Sequence, residues 1–164
     1  MVHQAEGHVG TTPSDEDWLL ISSEGLLMGE PAGKAGDHRE AALLHIRSLQ
    51  YADTNKRVAD SYRSLGFELE KLDLLDAAEY CYRLTVRLAP GGDFGRTWLA
   101  DVLVKQKKYA EAETIYREML PRATTAEDRV TLNADLAGIA KATGRKEEAD
   151  NYEKESRKAW KEMK

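Results

Sequence analysis

Tyr62-x-x-Leu65-Gly66-x-x-Leu69 is followed by Ala78-x-x-x-Tyr82 and then by Pro90. Beginning 34 residues later the chain reads Arg96-x-x-Leu99-Ala100-x-x-Leu103, then Ala112-x-x-x-Tyr116. After another 37 it reads Asn133-x-x-Leu136-Ala137-x-x-Ala140, then Ala149. In all three copies the second small residue follows the first by 12 positions: Gly66 to Ala78, Ala100 to Ala112, Ala137 to Ala149. Two antiparallel helices approach closely only where both carry small side chains. The spacing therefore predicts three helical hairpins. Leu65, Leu69 and Tyr82 fill the space around the first small–small contact. Leu72-Asp73-Leu74, Lys107-Lys108-Tyr109 and Gly144 fall in the tight turns. Pro90 with Gly91-Gly92 ends the second helix of the first hairpin, since Pro cannot continue a helix.

Working outward, the rest of the chain is also helical in pattern. From about Arg57 onward, apolar residues recur three and four apart with charges between them, and no stretch reads as a strand. The final helix, about 146–163, carries a narrow stripe of Ala149, Tyr152, Ala159, Trp160 and Met163 amid charges, as a terminal cap does. Upstream, Asp37 is a plausible cap for a helix over roughly 38–53, with Ala41, Ala42, Leu44, Ile46 and Leu49 as its apolar positions. Gly29 to Gly36 is a break. Pro13-Ser14-Asp15-Glu16-Asp17 reads as a helix start, with carboxylates in the first turn. Residues 1–14 read as a loose tail.

The order of large and small positions resembles the tetratricopeptide repeat, a helix–turn–helix unit of about 34 residues. The likeness covers 57–164 and is weakest in the last copy, where Glu153 stands at a position for a large apolar residue. It implies an all-α fold of antiparallel helical-hairpin repeats stacked as a short right-handed solenoid. Residues 55–164 would form the repeat domain with its C-terminal capping helix. Residues 15–54 would be an N-terminal helical pair: either a degenerate unit, with Ser22 and Ala42 as its small pair, or a free helix covering the end.

Composition bounds the function. Of the 164 residues, 41% are hydrophobic and 32% charged, too apolar for a disordered chain. No run approaches the ~18 apolar residues of a membrane span. Residues 1–37 hold seven acids and one base, while 38–164 are nearly neutral, so no concentrated basic face points to nucleic acid. The opening MVHQAEGHVG lacks a basic region followed by an apolar run, so no secretory signal is expected and a cytoplasmic protein is the simplest reading. A chain trimmed of its signal would look the same.

Chemical motifs are sparse. Gly91-Gly92-Asp93-Phe94-Gly95-Arg96-Thr97 is no phosphate loop: Pro90 replaces its first Gly and Arg96 its Lys. Asp93-Phe94-Gly95 spells a kinase triplet with no other kinase element. His3, His8, His38 and His45 have no carboxylates at ligand spacing. Cys81, the only cysteine, lies in an apolar helix with no histidine near in sequence, as a buried inert thiol does. We expect no catalysis, no metal and no cofactor.

The family resemblance also implies where a partner binds, since such repeats line a concave groove with one side of their first helices. By position these are Arg63, Phe67 and Glu70; Thr97, Asp101 and Val104; Ala134, Gly138 and Lys141. Phe94 and Trp98 lie at the edge. Both phenylalanines of the chain fall off the core stripe, and Trp98 faces away from Leu99, Ala100 and Leu103. They either anchor a partner or pack against the neighbouring repeat. The family's clamp for chaperone tails would fall on Arg63, Phe67, Trp98, Thr131 and Asp135, of which only Arg63 has the right chemistry, so that partner is not expected. The reading is a protein–protein interaction module, an adaptor or scaffold taking a peptide, helix or loop, without nucleic acid or membrane. The alternative is self-association, with the groove or an end covered by another copy or by the chain's own N-terminal segment.

Overall fold

The computed structural model describes residues 34–49, 52 and 54–163. The expected helix start at 13–17 lies outside them. Among the described residues there are seven α-helices and no strand: α1 (Lys34–Leu49), α2 (Asn55–Lys71), α3 (Leu75–Leu88), α4 (Asp93–Lys105), α5 (Tyr109–Met119), α6 (Ala126–Ala142) and α7 (Lys146–Lys161). A 3-10 turn, Leu120–Arg122, carries Pro121 out of α5. The larger helix contacts all join helices adjacent in sequence, which is the mark of a linear stack. The pairs α2/α3, α4/α5 and α6/α7 are the three hairpins, stacked as a short right-handed solenoid. None of the described helices is long and apolar enough to cross a membrane.

The small positions do what their spacing demands. Ala78, Ala100, Ala112, Ala137 and Ala149 are buried. Gly66 is the tightest point: a Cβ there would lie 2.7 Å from Cε1 of Tyr82. Each hairpin turn places one residue in the left-handed region, five before the second small residue: Asp73 (φ 60°), Lys107 (φ 61°) and Gly144 (φ 76°). The next amide then bonds back to the first helix: Leu74 N to Leu69 O (2.9 Å), Lys108 N to Leu103 O and Arg145 N to Ala140 O (both 2.8 Å). This is the helix-ending motif that αL residues permit. Hydroxyls repeat as well: Thr85 donates to the carbonyl of Ala59 (3.3 Å) and Ser156 to that of Val130 (3.1 Å), tying the second helix to the start of the first.

Boundaries differ from expectation at both ends. The first described helix spans Lys34–Leu49 instead of 38–53. Asp37 sits inside its first turn, where a carboxylate favours the helix dipole. Thr54, with extended dihedrals (φ −135°, ψ 148°), caps α2 through Arg57 N. Ala42 is fully buried and stands to α1 as Ala78 does to α3, with Ile46 at the place of Tyr82. In α7 the buried stripe is Ala149 and Ala159 with half-buried Tyr152 and Ser156; Trp160 and Met163 are exposed and do not belong to it. Trp160 follows Ala159 by about 100° of helix turn, which carries it past the contact. The 37-residue step also has a cause: α6 begins eleven residues before Ala137, α4 only seven before Ala100, so α6 has one extra turn.

Candidate functional site

The expected partner-binding residues fall on the first helices α2, α4 and α6, and their chemistry follows the repeat register. Phe67 follows Gly66 by one residue, and Trp98 precedes Ala100 by two. These two positions meet where one unit joins the next: the rings stand 6.4 Å apart, tilted by 40°. Trp98 also packs edge-on against Tyr82 at 5.7 Å. Arg63 lies over Trp98 at 5.3 Å and pairs with Asp60 at 3.5 Å, while Lys71 lies over Phe67 at 5.0 Å. The surface is thus aromatic, flanked by two cations that stack on it.

Trp98 is not the free-standing residue that its helix angle suggests. It is half-buried and packed on the core, because α4 is an inner helix that contacts α3 behind it as well as α5. Gly95, one turn earlier, gives room for that approach: a Cβ there would lie 3.1 Å from Cγ2 of Thr85. Phe67 remains 41% exposed and is the more accessible aromatic. The side chain of Phe94 lies outside the described residues.

Two carboxylates of the first helices are engaged by tyrosines of the second. The Tyr82 hydroxyl donates to Glu70 (3.0 Å), which also receives Lys105 Nζ. One unit along, the Tyr116 hydroxyl donates to Asp101. Burial pushes Tyr82 and Asp101 toward their neutral forms: Tyr82 rises through burial first and Glu70 second, and Asp101 rises through burial, with Glu70 adding and Tyr116 and Lys105 opposing. Asp135, in α6, is pushed up to about 6 by burial and by the charge of Asp101. Asp135 has no hydrogen-bond or cationic partner among the described residues.

The other expected groove residues are spread along this face. Thr97 spends its hydroxyl on the Asp93 carbonyl (3.2 Å), and Val104 packs on the core. Lys141 pairs with Glu153, whose carboxyl it holds below the usual range, helped by Arg157 at 2.9 Å. Ala134, Gly138 and Lys141 line one hollow of about 320 Å³ together with Glu153 and Arg157 of α7. Cys81 is buried and its thiol is pushed up to about 12, so it is inert.

Sequence reasoning missed two features. One is the tyrosine–carboxylate bonds; their signal was a tyrosine sixteen residues after the small residue in both units, 66 to 82 and 100 to 116. The other is an ion-pair ladder on the second helices. Lys108 reaches back to Glu79 (2.6 Å), and at the same register Arg145 reaches back to Glu113 through two bonds (2.6 and 2.9 Å). Arg83 links Glu79 to Glu111 at 2.7 Å to each.

No family model and no curated protein matches the sequence. Among solved structures, the "Crystal structure of MamA" is similar to this chain with a TM-score of 0.67 at 15% identity, covering 90% of this chain and 79% of that one. At that identity the likeness speaks for fold alone, and it agrees with the register in assigning a tetratricopeptide-like helical-repeat solenoid.

Proposed function

We propose that this chain is a non-catalytic adaptor or scaffold that receives a protein segment on the concave face of α2, α4 and α6. The observation that carries this reading is the contrast between the two faces. On the second helices Glu79, Lys108, Glu113 and Arg145 are joined in a repeating ladder of ion pairs. On the concave side an aromatic, Phe67, stays exposed beside a stacked Trp98, and Asp135 has no partner among the described residues. Exposed aromatics of this kind concentrate binding energy at interfaces. Arg63, Phe67, Glu70, Thr97, Asp101 and Val104 would form the main contact area, with Trp98 as its floor and Phe94 and Lys141 at the ends. The proposal includes the division of the chain into a tail (1–14), an N-terminal helical pair (15–54) and the repeat domain (55–164).

The test compares wild type with Phe67→Ala. Proteins retained by the immobilised wild type are identified, purified and titrated against both forms. Phe67→Ala is expected to weaken the captured partner at least ~10-fold, or ~1.4 kcal/mol, with an unchanged melt. Equal affinity would place binding elsewhere. One observation favours a second reading, self-association: Trp160 and Met163 are 51% and 45% exposed at the C-terminal end. Light scattering of wild type and the Trp160→Ser, Met163→Ser double variant separates the two.

A further inference from the structure

We propose that the acidic stretch 14–30 of this same chain lies over the joint where Phe67 meets Trp98, with Trp18 against Phe67 and the carboxylates of Asp15, Glu16 and Asp17 on Arg63 and Lys71. The consequence for a partner rests on the binding reading above: the stretch covers the contact area, and an incoming segment must displace it.

Two bonds show where the stretch meets the fold. His38 Nδ1 stands 2.6 Å from Glu68 Oε2, and the Ser48 hydroxyl donates to that of Ser61 at 2.9 Å. The helix α1 therefore runs antiparallel to α2, and its first turn lies beside the end of α2 that carries Phe67 and Lys71. Lys34, where α1 begins, is one turn before His38, about 6 Å along the axis. Residues 29–33 span up to about 17 Å when extended, more than the ~10 Å diameter of a helix. The residues before them thus reach Phe67 without crossing the stack.

The two surfaces match in charge and in apolar character. Residues 1–33 hold six acids and no lysine or arginine, and three of the acids, Asp15, Glu16 and Asp17, directly precede Trp18-Leu19-Leu20-Ile21. The joint carries the opposite charge beside its rings: Arg63 over Trp98 and Lys71 over Phe67. Elsewhere on the first helices Lys105 and Lys141 are already held, by Glu70 and Glu153. Lys71 has no carboxylate partner among the described residues. Arg63 reaches only the exposed Asp60, at 3.5 Å, and its Nε is buried and unpartnered. Phe67 calls for an apolar cover and its flanking cations for carboxylates, and residues 15–21 hold both side by side. Aromatic pairing and charge-assisted hydrogen bonds then act on one short stretch. A tether of this length raises the local concentration of the stretch to the millimolar range, so a modest contact suffices.

Zero-length carbodiimide cross-linking of the full chain, read by peptide mass spectrometry, joins carboxylates to lysines in contact with them. The expected product is a link within one chain between Lys71 and Asp15, Glu16 or Asp17. It should be at least ~5-fold more abundant than any link from these acids to Lys56, exposed at the far end of α2, which excludes general charge attraction. Phe67→Ala should lower it at least ~5-fold, while the link between Lys141 and Glu153 stays as in wild type. A capped peptide of residues 13–30, titrated by calorimetry, should bind the full-length Asp15→Asn/Glu16→Gln/Asp17→Asn variant at least ~10-fold more tightly than wild type, whose own stretch competes. Three results overturn the proposal: no Lys71 link where the Lys141 link forms, a Lys71 link only between two chains, which assigns the cover to a second copy, or equal peptide affinity for both forms. The binding reading is judged apart from this, by the affinity of the captured partner for the triple variant with and without Phe67→Ala.

Discussion

Gly66 shows how one missing Cβ sets a helix separation. The Tyr82 ring lies where the side chain of any larger residue would go, and its hydroxyl is fixed to Glu70. Gly66→Ala therefore forces the ring aside, and overpacking of this kind costs ~1–3 kcal/mol. A thermal melt should drop by several degrees; no change would mean that the ring moves freely. Trp98→Ala is expected to lower the melting temperature too, since the ring is packed on Tyr82 and the core, so Phe67 is the cleaner probe of binding. Asp135 behaves in the opposite sense. Its folded pKa of about 6 lies above the ordinary carboxyl value of 3.8, so the folded state holds the proton more tightly. Stability from this group is full below pH ~4, falls as pH rises toward 6, and stays low above. Asp135→Asn should thus stabilise the chain at pH 7, by about 1 kcal/mol after solvent screening, and the gain should vanish near pH 4. A gain independent of pH would assign it to something other than the charge.

At the level of elements, the turns carry the repeat as faithfully as the helices. Asp73, Lys107 and Gly144 occupy one register position and one backbone region. Lysine pays for that conformation where glycine does not. Lys107→Gly should therefore raise stability by about 0.5 kcal/mol, and Gly144→Ala should lower it by about 1 kcal/mol, read from denaturant midpoints. Such turns were legible in the sequence because turn position is locked to the small residues by counting. The hairpins were legible for the same reason. The ends were not: Trp160 looks like a stripe residue by spacing, yet among the described residues it is half exposed, turned past the contact that Ala159 makes. Trp98 failed differently. A wheel drawn around α4 assumes one buried face, and an inner helix of a stack has two, so an off-stripe residue such as Val102 is also fully buried.

The whole molecule is a chain of neighbour contacts, and its stability must fall steeply when an end unit is removed. The buried face of α6 includes Leu132, Leu136 and Ile139, and α7 is its largest partner. Ending the chain at residue 145 removes Ala149, Tyr152 and Ala159 from that face and also cuts Glu148 from Arg145 and Arg117. The exposed leucines leave an apolar strip on the new terminal helix, which has no polar outer face to replace that of α7. The 1–145 chain is expected to aggregate or to melt over a broadened range, as seen by light scattering and circular dichroism. Trp160→Ser with Met163→Ser is the complementary experiment, because both residues are about half exposed and their loss opens no cavity. That variant should melt within ~0.5 kcal/mol of wild type. If it also lowers the scattering mass, the exposed end joins copies of the chain; if the mass stays that of one chain in both, the end is free and α7 serves only to close the stack. A soluble 1–145 fragment with a sharp melt would show that the α6/α7 contact contributes little to the cooperative unit.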